Sequence, residues 1–152
     1  MEKTSIWSWK GRSRRQSYWL LQLKLIGILI AIWAVALILG FLIGGTNSIW
    51  VACVLAGILS LPLAYVGFCA QVRRFHDRGL SGWWIIGAGV VSSLIEVSIE
   101  SIALINPDNM LILKGIGMIV SWSISIAVFV VTVLDSVDDN QYGPNPKRLP
   151  QE

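Results

Sequence analysis

Charge is scarce in this chain. Only 14% of its 152 residues are Asp, Glu, Lys or Arg, where a soluble domain carries about 25%, and that deficit argues against an ordinary water-soluble fold. Histidine is almost missing. The single His76 and the two cysteines, Cys53 and Cys69, are too few for a tetrahedral metal site. A disulfide is not expected either, because both cysteines fall on one apolar run, where a helix holds them about 24 Å apart. They read as small buried hydrophobes. The sequence contains no Gly-x-Ser-x-Gly elbow and no His-Glu-x-x-His pair, so the common hydrolase signatures are absent. No cofactor is expected, and no partnership with nucleic acid.

What the chain has instead is length without polarity. Apolar residues make up 55% of it, gathered into four runs that predict membrane spans at 20–43, 49–71, 83–105 and 111–134. Each approximates the ~20 residues that cross ~30 Å of hydrocarbon at 1.5 Å per residue. Around them lie a basic amphipathic arm (1–19), a polar hairpin (72–82) and a tail (135–152). Neither end is long enough to bury a core of its own, so residues 1–152 read as one all-α membrane domain of four transmembrane helices in two hairpins. Ala34-Val35-Ala36 resembles a signal-peptidase site, but the apolar run continues through Leu39 and Phe41, which fits an uncleaved anchor. Pro62 is expected to kink the second span and free a backbone carbonyl.

The basic residues sort by side. Lys3, Lys10, Arg12, Arg14 and Arg15 precede the first span, with Lys24 near its start; Arg73, Arg74 and Arg78 sit between spans two and three; Lys147 and Arg148 follow span four. The loop 44–48 carries no cation, and near Pro107 there is only Lys114. The positive-inside rule then places both termini and the central hairpin in the cytoplasm. Tyr18-Trp19 and Trp83-Trp84 begin spans one and three, where amphipathic rings favour the headgroup layer, and Trp7 and Trp9 place the arm along the same surface.

Three polar segments are thereby expected on one face. Gly79 and Gly82 suit a turn, and Ser81 is positioned to cap the third helix. Gly143-Pro144-Asn145-Pro146 stops any helix and predicts a fixed tail that folds back on the other two segments. Taken in order, Gly11-Arg12-x-Arg14-Arg15-x-x-Tyr18-Trp19, then Arg73-Arg74-x-His76-Asp77-x-Gly79-x-Ser81-Gly82-Trp83-Trp84, then Asn140-x-Tyr142-Gly143-Pro144-Asn145-Pro146 resembles the family of domain-of-unknown-function 805, small bacterial inner-membrane proteins. The resemblance runs from about Trp9 to Pro146. Phe75 stands where the family more often has Leu, and Asp138-Asp139 where many members have Pro-Gly. It implies a location in the bacterial cytoplasmic membrane and brings no activity with it.

Function therefore has to come from the residues. Arg12, Arg15, Arg73, Arg74 and Arg78, with His76, Asp77, Asn140 and Tyr142, form a candidate site for anionic lipid headgroups or a partner, since Arg presents forked donors to phosphate. The competing reading is that the arginines obey the topology rule and pair with Asp77 or with helix C-terminal carbonyls. Gly79, Ser81, Gly82, Trp83, Gly143 and Pro144 read as the site's framework. Another membrane protein, or a second copy of this chain, is the other expected partner. Catalysis is not expected; the third alternative is a membrane enzyme acting on a phosphorylated lipid with His76 and Asp77 as its acid–base pair, but adjacent side chains rarely face each other. Glu96 and Glu100, at i,i+4 on span three, are candidate intramembrane carboxylates for a small oligomeric transporter or channel, unless span three ends early and leaves both at the outer interface.

Overall fold

The computed structural model describes residues 5–105 and 107–148. Lys3, with the rest of the first four residues of the arm, and the last four of the tail lie outside them. Four long helices make up the fold: α1 (Arg15–Gly44), α2 (Ser48–Asp77), α3 (Trp83–Ile105) and α4 (Met110–Val133). Short 3-10 turns, Gly45–Asn47 and Pro107–Asn109, join α1 to α2 and α3 to α4. Each helix is long and apolar enough to cross a membrane, and the protein is an all-α, multi-pass membrane protein.

Its burial pattern fits hydrocarbon as the solvent. Phe41, Trp50 and Leu111 are 79%, 74% and 85% exposed, whereas Arg74 and Asp77 are wholly buried. In water that arrangement would leave a very large apolar surface unburied. In a bilayer it puts apolar side chains against lipid and gathers the charges inside protein, where other groups can satisfy them.

Small residues bring α1 and α2 together. Ala36, Gly40, Ala52 and Ala56 are buried along their contact, and at Gly40 a Cβ would stand 2.5 Å from the backbone oxygen of Ser48. Close approach of this kind is how membrane helices associate when no hydrophobic effect drives them. α3 and α4 form the second hairpin, with Gly117 of α4 against Ile99 and Ala103 buried. The hairpins meet through α2 and α4 and through the edge of Trp19 on Phe129, 5.7 Å between ring centres.

α1 and α2, at 30 residues each, are about 45 Å long, longer than the ~30 Å core. α2 continues to Asp77. Residues 72–77, read from sequence as part of a hairpin, are therefore its last turns, and the non-helical connection to α3 is only 78–82. Helix continues there because nothing in Val72-Arg73-Arg74-Phe75-His76-Asp77 breaks it. Gly79, at φ +76°, is the first residue suited to a left-handed backbone.

Candidate functional site

The arm, the end of α2 and the tail converge at one end of the bundle. Their centre is Asp77, whose carboxylate is fully buried. Oδ1 accepts from Nε of Arg12 at 3.0 Å, and Nη2 of the same guanidinium lies 3.0 Å from it. Oδ2 accepts from Nη1 of Arg74 and from the Ser136 hydroxyl at 2.6 Å. The side chains of Arg12 and Arg74 are 2% and 0% exposed, so this is a buried ionic triad, favourable only when every donor and lone pair is matched.

Backbone carbonyls take up donors that the carboxylate does not, so that every nitrogen of the two guanidinium groups has an acceptor. Arg12 donates from Nη1 to Asp138 O (3.0 Å) and Gly143 O (2.9 Å), and from Nη2 to Val137 O (2.6 Å) and Asp77 O (3.2 Å). Arg74 donates from Nε to Thr132 O at 3.0 Å, from Nη1 to Ser13 O at 3.2 Å and from Nη2 to Leu134 O. Thr132 and Leu134 mark the end of α4, whose last carbonyls have no intrahelical donors. Arg15 reaches Val133 O at 3.5 Å and Arg78 reaches Asp135 O at 2.7 Å, so the α4 terminus is ringed by cations that also favour its dipole. Lysine's single ammonium lacks the five-donor fork needed to serve so many acceptors from one position.

His76 turns away from Asp77. Its Nδ1 lies 3.3 Å from Gly11 O, and its ring lies flat on Tyr142, 3.9 Å between centres and 5° between planes. The Asn140 amide donates to His76 O at 3.0 Å, while its side-chain oxygen accepts from Tyr142 N at 2.9 Å. Asn140 and Gly143 close a small antiparallel bridge. Asn145 is buried, its N–H held by Asp139 at 2.7 Å, and Arg14 Nε donates to Pro146 O at 2.5 Å. The tail folds back as its prolines predict. In the turn, Ser81 Oγ accepts from Trp83 N at 3.3 Å, which caps α3, and a Cβ on Gly82 would meet Val72 at 2.8 Å. On the rim, Lys147 lies 2.5 Å from Asp135 and holds that carboxyl below the usual carboxylate range.

The arm docks beside α2. Arg73 Nη1 donates to Ser5 O at 3.1 Å, and Cys69 Sγ to Trp7 O at 3.4 Å. The Trp7 ring stacks on Tyr65 with 6.1 Å between centres, leaving Ile6, Trp7 and Trp9 about half exposed. Cys53 and Cys69 are free thiols.

Arg12, Arg73, Arg74, His76, Asp77, Arg78, Asn140 and Tyr142 are thus brought together, with Arg15 at the edge. Sequence reading missed Ser136, Ser13, Thr132 and Asn145 as partners. Only Asn145 carried a signal, inside the Gly-Pro-Asn-Pro run; the others act through backbone oxygens or one hydroxyl that no spacing marks. Glu96 and Glu100 lie elsewhere, on the α3–α4 hairpin. Glu100 pairs with Lys114 at 3.2 Å, and Glu96 accepts from the Ser121 hydroxyl at 3.3 Å. No metal-binding cluster occurs among the described residues.

No curated protein and no solved structure matches this chain. One family model does, over residues 6–144, described as a protein of unknown function, DUF805. That interval takes in all four helices, the docked arm from Ile6 onward and the tail as far as the bridge, and the chain belongs to the DUF805 family.

Proposed function

We propose that the protein is a membrane-embedded binding module, not an enzyme, that lies in the bacterial inner membrane with its capped polar end toward the cytoplasm and holds anionic lipid headgroups around that end. The observation that carries this reading is the docked arm. Held on α2 through Ser5, Trp7 and Tyr65, it offers half-exposed Ile6, Trp7 and Trp9 beside exposed Lys10, the aromatic-plus-basic composition that favours a headgroup layer. The uneven distribution of Lys and Arg supports the orientation.

Within the candidate set the roles divide. Arg12, Arg74 and Asp77 shape the cap, because their polar atoms are matched internally; His76, Asn140 and Tyr142 brace the tail. Headgroup capture falls to cations on the rim, Lys10 and Arg15 first among them, each gaining about 1 kcal/mol from an anionic surface. Native mass spectrometry of the gently purified protein tests this. Anionic phospholipid should be retained by the wild type and largely lost from a Lys10→Gln, Arg15→Gln double variant that melts at the wild-type temperature. Equal retention by that variant, or retention of zwitterionic lipid to the same degree, defeats the reading.

A further inference from the structure

The two hairpins leave a cleft between them. It has a volume of about 530 Å³, in the range of pockets that take small organic molecules. Gln71, Thr132 and Tyr18 line it at the capped end, Ser92 and Ser125 line its flanks, and Glu96, an exposed residue, lies farthest from that end, about 20 Å along α3 from Trp83. Ala88 and Gly89 keep the α3 wall low, and Ile85 and Phe129 add apolar surface.

Glu96 sets the chemistry. The other two acidic side chains on the four helices each have a cation: Asp77 has Arg12 and Arg74, and Glu100 has Lys114. Among the described residues Glu96 has no ion pair; its carboxylate accepts from the Ser121 hydroxyl, at the border between this cleft and a smaller cavity lined by Glu96, Glu100, Lys114 and Ser121. At that depth a carboxylate facing lipid is costly, and intramembrane charges of this kind mark ligand or ion pathways. Acyl chains offer nothing to it or to the cleft hydroxyls. A molecule with an apolar body and a positive charge satisfies both the walls and the acid.

We propose that the cleft between the hairpins is a binding site for lipophilic organic cations, with Glu96 as the counter-charge and Ile85 and Phe129 as walls for the apolar body. The site is independent of headgroup capture at the capped end, since it shares none of the rim cations. A second copy of the chain is the rival occupant, with its own helix filling the cleft.

Two probes of the same shape and opposite charge decide the matter: tetraphenylphosphonium and tetraphenylborate, measured by equilibrium dialysis against the protein in nanodiscs. The wild type should bind the phosphonium saturably and the borate at least about tenfold more weakly, a gap of ~1.4 kcal/mol or more. Glu96→Gln should weaken phosphonium binding by a similar factor. Ser92→Leu, which fills the cleft and leaves the charge in place, should weaken it too. Comparable binding of both probes overturns the proposal, as does undiminished binding by folded Glu96→Gln. So does a self-cross-link through Ser93→Cys, in a Cys53→Ala, Cys69→Ala background, that excess phosphonium leaves unchanged. If Glu96→Gln does not fold, the wild-type probe pair and Ser92→Leu still decide.

Discussion

Asp77 shows at the scale of one residue why this polar end is rigid. Two guanidinium groups and one hydroxyl converge on its two oxygens, while the same guanidinium groups reach carbonyls from the arm, the α4 end and the tail. Removing its charge leaves Arg12 and Arg74 buried without a counter-ion, which costs about 3–5 kcal/mol in comparable buried pairs. Asp77→Asn keeps the volume and removes only the charge. It should lower the thermal midpoint in detergent far more than Glu100→Gln, whose partner Lys114 is 40% exposed and whose pair is worth about 1 kcal/mol or less. Equal shifts for the two variants would show that the triad contributes no more than a surface pair. The sequence displayed every charge in this cluster, yet not the division between donors that face outward and donors turned inward. That division depends on where the carbonyls of residues 132–143 fall once the tail folds back, and carbonyl positions leave no mark on residue type.

Among the helices, Gly40 is the clearest case of a residue acting through absence. Its missing side chain lets α1 approach the start of α2 until a Cβ would collide with the Ser48 carbonyl. Gly40→Leu should separate the pair and cost about 1–3 kcal/mol, as overpacking does. Gly27→Leu on the same helix, where nothing lies within 4 Å, serves as the control. A thermal shift of the same size for both would mean that the Gly40 contact is not what joins α1 to α2. The four helices themselves were legible because hydrocarbon imposes a simple requirement, length without charge, that composition displays directly. The end of α2 was not. A run containing Arg73, Arg74, His76 and Asp77 looks like loop when polarity is equated with the membrane boundary, but those side chains are excellent or tolerable helix formers. The helix stops where Gly79 allows the turn. The packing between hairpins was equally illegible, since the spans are apolar nearly all round and no face is singled out.

For the molecule as a whole, the capped end ties the described parts of the arm and the tail to the α2–α3 turn, so these three regions must lie on one side of any membrane the helices cross. Topology is then a single binary choice. Cations are concentrated at the capped end, and the loop 44–48 at the opposite end has none, which favours the capped end inward. Orientation is read by labelling single cysteines with an impermeant maleimide in a Cys53→Ala, Cys69→Ala background, with Ser8→Cys, Gln141→Cys and Ser48→Cys as reporters. Ser48→Cys should react in intact cells, whereas Ser8→Cys and Gln141→Cys should react only after permeabilisation. The cap predicts more than the charge rule alone does, because it forbids mixed results. If Ser8→Cys and Gln141→Cys ever report opposite sides, the buried bonds from Arg12 to Val137 and Gly143 cannot exist in the membrane. If they agree with each other but label from outside, the cap stands and only its orientation is reversed. That outcome would remove the anionic inner leaflet from its surroundings and with it the proposed headgroup site, while leaving the cleft at Glu96 intact.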